Sequence, residues 1–500
     1  MTRFIITNNK AAPLITTQPC TPRNLRRKNA DYWRVLKELS TPSSVVVVMV
    51  PFLAQSHLNQ LLQFAHVVSS YNIPVHYVSS TLHNSQVKSR ASNPLHQLTK
   101  IHFHDYPLPF SPSSTPDPCS GTKLPENFIP CLEATTHLRQ PVSDLLRTLS
   151  PSSKRLVVVH DTLMASVVQD VARIPNGEAY SVNCGSVFFF FGYFCDALGR
   201  NDIFPTNNIP PLKSCFPAVV NDFIERELQE LKYQAGEIFN SCRAIEGTFL
   251  QHLVDDIGIC GGEKKMWAVG PLHQTTITKE QRDQDKWLLE WLDEQEPSSV
   301  LYVSFGTTTV FSEEEIKEIA VGLELSGVKF IWALREADKI DELSTDDQQG
   351  SGRIQLPDGF EERMKKGMGI VVREWVPQVE ILRHKSTGGF VSHCGWNSCV
   401  ESISMGVPIA AWPMHSDQPF NALLLTKLLK VGVAVLEWEQ RDELVTSSMI
   451  SRAVRTLMAS DEGGEIRKRA EELGAEVRKS TAEGGVTRME WDSFIAHITR

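Results

Sequence analysis

Residues 44–52 read SVVVVMVPF, a continuous β-branched run from Ser44 to Phe52. A strand with one wet face alternates apolar and polar residues. An unbroken run belongs to a strand buried on both faces of a parallel sheet. The residues that follow change period. Leu58, Leu61, Leu62, Ala65 and His66 fall on one stripe, which predicts a helix. Ile73–Val78 then reads as the next strand, and Leu156–His160 with the segment after Leu163 repeats the alternation. Repeated strand–helix units predict a doubly wound α/β domain over residues 43–262.

The pattern restarts after the polar stretch Thr275–Lys286. Ser299–Phe305 is a predicted strand, and Ser312 with Glu315 three positions on forms a capping box. Ile316, Ile319, Ala320 and Leu323 mark that helix's buried face. Val328–Leu334, Ile370–Val372, Gly389–Ser392 and Pro408–Ala411 supply further short strands. A second α/β domain therefore spans 263–482, with a C-terminal helix at 483–500. Arg335–Leu356 is long, acidic and polar, as a surface loop would be.

Five hundred residues with 41% hydrophobic and 22% charged side chains exclude a disordered chain or a single small module. The net charge of −9 argues against a nucleic-acid partner. It is unevenly spread. Residues 1–40 hold eight basic and two acidic residues, so the rest carries 42 against 57, a net −15. Residues 1–42 read as a basic, disordered extension outside the chemistry, with an organellar transit peptide as the alternative. Ten cysteines without a CxxC pair point to reduced thiols, and no apolar run approaches the ~18 residues of a membrane helix. The expected compartment is the cytoplasm.

Two α/β sheets invite nucleotide binding, yet PFLAQSH follows the first strand where a glycine fingerprint would stand. No GxxxxGK[ST] loop and no GxSxG elbow occur. His102, His104 and Asp105 form HxHD at strand spacing, and Asp283 with Asp285 forms DxD in a polar linker. Both read as a strand end and a solvated turn rather than metal sites.

Residues 375–418 read WVPQVEILRHKSTGGFVSHCGWNSCVESISMGVPIAAWPMHSDQ. The indole of Trp375 offers a face on which a base can stack. Glu401 can accept from two vicinal hydroxyls. The run from His393 to Ser398 leaves a strand and enters a helix, whose free N–H groups and dipole suit a diphosphate, with His393, Asn397 and Ser398 adding donors. Gly395 lets the backbone approach closely. Asp417 and Gln418 can pin sugar hydroxyls. In length and order this box resembles the signature of plant UDP-dependent glycosyltransferases. The resemblance implies two facing Rossmann-like domains (the GT-B fold), with the C-terminal helix returning to the N-terminal domain. It also implies a donor pocket of Trp375, Val376, Gln378, His393, Gly395, Trp396, Asn397, Ser398, Glu401, Asp417 and Gln418. Gly306 and Thr307, in the turn after the strand at 299–305, are expected to add a second phosphate contact.

His57 stands at the start of the first domain's first helix, where the dipole disfavours imidazolium and keeps the ring neutral. Asp161 ends the strand LVVVHD and can bond the far ring nitrogen. Both match the family's His–Asp dyad, while His160 points to the other side of its strand. The resemblance is closest to the zeatin O-glycosyltransferases, on PFLAQSHLNQLLQ, IPVHYV, IHFHD, LMASVVQD, EPSSVLYVSFGTTT, READK and SFIAHITR. It implies an inverting O-glycosyltransferase that moves glucose or xylose from UDP-glucose or UDP-xylose to a zeatin side-chain hydroxyl. No metal or other cofactor and a monomer are expected. Ser56 replaces the glycine usual before the histidine, and the Phe188–Phe191 run is bulkier than zeatin needs. Ser56, Phe188 and Phe191 are therefore candidate acceptor contacts, and a flavonoid, phenolic, terpenoid or glycoside is an alternative acceptor. A non-catalytic UDP-sugar or small-molecule binder on the same fold is the alternative of another class, against which His57 and Asp161 argue.

Overall fold

The computed structural model describes residues 43–90, 100–109, 128–206, 210–255, 264–273, 285–306, 309, 311–334 and 355–500. The basic extension, Thr307, Asp283 and most of the acidic loop lie outside the described residues.

Strand β1 (Ser43–Val50) is buried on both faces. Val45, Val47 and Met49 pack with Leu58, Leu61, Phe64, Ala65 and Val68 of helix α1 (Gln55–Ser70). Val46, Val48 and Val50 face the opposite layer, against Leu138, Val142 and Leu146. Two covered faces explain why the run is continuous rather than alternating. β1 lies in a seven-stranded sheet of order β3-β2-β1-β4-β5-β6-β7. Its other strands are β2 (Val75–Ser80), β3 (Ile101–Tyr106), β4 (Ser153–Asp161), β5 (Gly177–Asn183), β6 (Gly236–Phe239) and β7 (Lys265–Ala268). Helices α2 (Val187–Ala197) and α3 (Arg243–Asp255) follow β5 and β6.

The second sheet has the order β10-β9-β8-β11-β12-β13. Its strands are β8 (Val300–Ser304), β9 (Lys329–Ala333), β10 (Gly369–Val372), β11 (Thr387–Ser392), β12 (Ile409–Ala411) and β13 (Gly432–Ala434). All five of its ladders run parallel. Leu301 and Val303 pack with Ile316, Ile319, Ala320 and Leu323 of α4 (Glu313–Ser326). The Ser312–Glu315 capping box starts α4, and Gly327, at φ 68°, ends it.

One boundary needs correction. A division at residue 262 falls before β7, which is the seventh strand of the first sheet. The signal was weak because β7 is only four residues long, a short edge strand. The C-terminal chain returns to the first sheet. Helix α8 (Asp461–Thr481) leads into α9 (Val486–Ile498), whose Trp491 and Phe494 pack against Phe64, and Phe494 also against Tyr180 and Trp267. The Trp491 indole donates to the Val269 carbonyl at 2.9 Å. Among the described residues no helix is long and apolar enough to cross a membrane.

Candidate active site

In each sheet the strand order reverses direction at one place, β1/β4 in the first and β8/β11 in the second. Loops diverge there and leave a crevice at the carboxyl ends of the strands. His57 follows β1 and Asp161 ends β4, so the first crevice holds the His–Asp pair. His57 Nδ1 lies 2.7 Å from Asp161 Oδ2. The other carboxylate oxygen accepts from the Leu163 amide at 2.9 Å, which fixes the group in place. Asp161 is 1% exposed, whereas His57 keeps 24% of its side chain open. With Nδ1 turned to the carboxylate, Nε2 is the nitrogen left for a substrate proton.

The helix dipole did not decide the ring's charge. Burial opposes protonation of His57, but the Asp161 charge and hydrogen bond, with a further pull from Asp417, raise its pKa above the ordinary 6.5. Asp161 is held below its ordinary value despite its burial, because the His57 charge and the hydrogen bonds outweigh the desolvation. His160 is buried on the opposite side of β4, with Nδ1 2.7 Å from the Asp161 carbonyl oxygen and a bond to Gln234; burial lowers its pKa to about 4.

Sequence reasoning missed a third member. Cys184, just past β5, donates its thiol to Asp161 Oδ2 at 3.2 Å. Its signal was positional: β5 neighbours β4, so the residue after its end enters the same crevice.

The second crevice holds the helix start. Helix α6 (Trp396–Met405), which follows α5 (Gln378–Arg383), begins after Cys394 at φ 65° and Gly395. The His393 ring sits between two glycines: a Cβ on Gly306 would come within 2.6 Å of Nε2, and one on Gly395 within 2.5 Å. Neither position tolerates a side chain. Burial, with His415 nearby, lowers the His393 pKa to about 3, so the ring is a neutral hydrogen-bonding group. His393 Nδ1 and Asn397 Oδ1 are buried without a partner. The His393 nitrogen can donate to an anionic ligand at this helix start, whereas the Asn397 oxygen only accepts and would need a donor such as a ligand hydroxyl.

The remaining donor-box residues divide. Trp375 is 50% exposed and offers its face. Gln378 joins Glu401 at 2.6 Å and Ser398 at 3.2 Å, while the Tyr302 hydroxyl donates to its oxygen. Burial pushes the Glu401 carboxyl to about 7. Gln418 uses its oxygen on the Met414 and His415 amides, and its NH₂ lies 3.3 Å from His415 Nδ1, which leaves its second N–H as the group it can offer. Asp417 is held by Asn421 at 2.9 Å, four residues on along α7 (Gln418–Leu423). Burial raises its pKa.

Four expected contacts are corrected by burial. The Trp396 side chain is a core aromatic whose indole donates to the Asn240 carbonyl, tying α6 to the first sheet. Val376 is likewise in the core and can offer only its backbone. Phe188 and Phe191 are 0% exposed, packed against Phe204 and Phe249, so neither presents surface to an acceptor. Their apolar run reflects a buried helix. Phe190 is the half-buried ring of that run, and both it and Asp417 lie within reach of a Cβ placed on Gly185. Ser56 is exposed, and its carbonyl accepts from Asn397 Nδ2 at 3.1 Å across the two sheets' loops. His102 and His104 pack against His76 at the first sheet's edge, far along the sheet order from β4.

A His–carboxylate pair at one switch point, opposite a helix start prepared for phosphate at another, defines a nucleotide-sugar transferase of the two-domain GT-B kind. Comparison with known proteins agrees. Residues 43–274 match the model of the glycosyltransferase N-terminal domain, and residues 273–462 that of the UDP-glucuronosyl and UDP-glucosyl transferases. The chain is 47% identical to the zeatin O-glucosyltransferase of Phaseolus lunatus, over 93% of this chain and 99% of that one. It is 48% identical to the zeatin O-xylosyltransferase of Phaseolus vulgaris, over 92% and 100%. Phytolacca americana UGT2, solved with UDP-2fluoro-glucose and pterostilbene, superposes with a TM-score of 0.73 at 25% identity, covering 91% of this chain and 100% of its own. The chain belongs to the UDP-glycosyltransferase family and is a UDP-glycosyltransferase. The non-catalytic binder is thereby set aside.

Proposed function

We propose that the enzyme is an inverting O-glycosyltransferase that moves glucose or xylose from its UDP-sugar to the side-chain hydroxyl of a zeatin-type cytokinin. The observation that carries the chemistry is the His57 Nδ1–Asp161 Oδ2 contact of 2.7 Å, which leaves Nε2 for the acceptor. His57 removes the hydroxyl proton as that oxygen attacks the anomeric carbon from the side opposite UDP. Asp161 stabilises the imidazolium that forms. UDP departs toward the start of α6, where backbone N–H groups, His393, Asn397 and Ser398 meet its charge, so no metal is required of the reaction. Asp417 and the Gln418 NH₂ hold the sugar.

The acceptor assignment draws on the two bean relatives, one a glucosyl- and one a xylosyltransferase of zeatin. The enzyme is proposed to act as a cytoplasmic monomer; among the described residues no cysteine forms a disulfide. The deciding experiment supplies UDP-glucose and UDP-xylose in parallel with zeatin and with a panel of flavonoids, phenolics, terpenoids and glycosides. A β-glycoside of zeatin as the fastest-formed product is expected. Preference for another acceptor would overturn the cytokinin assignment, and an α-linked product would remove direct displacement.

The uracil platform gives a separate prediction. Trp375→Ala should cost about 1–3 kcal/mol of stacking, weakening UDP binding by about 5- to 150-fold. Calorimetric titration with UDP checks it, and unchanged affinity would take the base off that indole.

A further inference from the structure

His57, Asp161 and Cys184 each present one ligand atom, and the three atoms lie within 4.8 Å of one another. Asp161 Oδ2 is shared, 2.7 Å from His57 Nδ1 and 3.2 Å from Cys184 Sγ. An imidazole nitrogen, a carboxylate oxygen and a sulfur are the donor set of zinc and cadmium, which take three protein ligands and leave a fourth position for water. The ligands come from three separate backbone segments, after β1, at the end of β4 and after β5. Two of the three are held by outer contacts. The Leu163 amide fixes the far oxygen of Asp161, and Gln60 Nε2 donates to the Cys184 carbonyl at 3.1 Å. Such outer partners orient metal ligands. The open part of the His57 side chain gives access from the crevice.

We propose that this cluster is an inhibitory site for a thiophilic divalent cation, zinc or cadmium, held by His57 Nδ1, Asp161 Oδ2 and Cys184 Sγ. The inference rests on the reading of His57 as the base. Binding exchanges protons in a defined way. The thiol proton leaves to solvent, and the cation takes the Nδ1 lone pair, so the single proton of the neutral ring resides on Nε2. One cation is bound and one proton released. Nε2 then carries the proton that it must be free to accept, and transfer stops. The α6 start takes no part, so UDP still binds.

The test uses the full chain and its Cys184→Ser and Cys184→Ala variants, each measured against its own metal-free rate. Zinc is expected to inhibit the wild type reversibly, with activity restored by a chelator and UDP affinity unchanged. Both variants should need far more zinc for half-inhibition, beyond the about 10–100-fold typical of losing even an outer-shell partner. A readout independent of turnover is the ultraviolet thiolate-to-cadmium absorption. It should saturate at one equivalent in the wild type, vanish in Cys184→Ser and weaken in His57→Ala. Equal zinc sensitivity in wild type and both Cys184 variants overturns the proposal, as does a cadmium band that survives Cys184→Ser. The two readings fail separately: normal turnover by His57→Ala would sink the base assignment, while the cadmium band would still report the site.

Discussion

Replacing His57 with alanine should lower turnover by about 10²–10⁴, the usual contribution of a positioned general base, while UDP still binds. The reason is spatial. His57 stands on α1, after β1 of the first sheet, whereas the proposed diphosphate site is the start of α6 in the second. Turnover close to wild type, with UDP affinity intact, would remove His57 from the mechanism. The same group sets the pH profile. Its pKa is raised above 6.5 by Asp161, so the neutral, proton-accepting ring becomes dominant at a higher pH than in a free imidazole. The acidic limb of kcat/KM should lie above pH 6.5. Asp161→Asn removes the charge that holds the proton and should move that limb to lower pH, with a reduced plateau. A limb that stays in place would mean that another group titrates.

Glu246→Ala should destabilise the fold by about 3 kcal/mol or more. This carboxylate, buried at the kink of α3, accepts from the Val187 amide at 3.0 Å, the Phe188 amide at 2.8 Å and the Ser241 hydroxyl at 2.6 Å. The two amides are the first N–H groups of α2, and Ser186 caps a third at Phe189. Alanine leaves three buried donors unpaired, at about 1–3 kcal/mol each. Urea unfolding monitored by circular dichroism measures it, and a loss under about 1 kcal/mol would show that the donors find other partners. Burial raises the Glu246 pKa from 4.5 to about 7. The native state therefore holds more protons than the unfolded state between those values, and stability contributed by this group is lost as pH rises from 4.5 through 7. Glu401 adds a slope of the same sign. Glu246→Gln should flatten part of it.

Much of the site was legible before any coordinates. The Trp375–Gln418 box is contiguous, so its order alone announces a strand, a turn with special glycines and a helix start. His57 and Asp161 could be placed because one opens the helix after, and the other ends, a strand whose burial on both faces is written in its β-branched run. What failed, failed for want of packing. Trp396 and Phe188 are aromatics near the chemistry in sequence, yet each turns into the core. A lone residue's helical or strand period says which stripe it shares, but which stripe meets solvent depends on the neighbouring element. Cys184 was passed over because a thiol after a strand carries no local mark; only the β4–β5 pairing sets it on Asp161.

The chain by itself determined two parallel α/β sheets, a donor box and the residue types of a base and its partner, because periodicity and contiguous motifs are local properties. Tertiary structure decided which side chains meet. It set Asn397 on the Ser56 carbonyl, Trp396 on the Asn240 carbonyl and Cys184 on Asp161, contacts spanning 341, 156 and 23 residues. It also raised the His57 pKa, where the helix start alone suggested the opposite direction. A helix start is readable from one segment, whereas the carboxylates that outweigh the ring's burial arrive from β4 and from the second sheet.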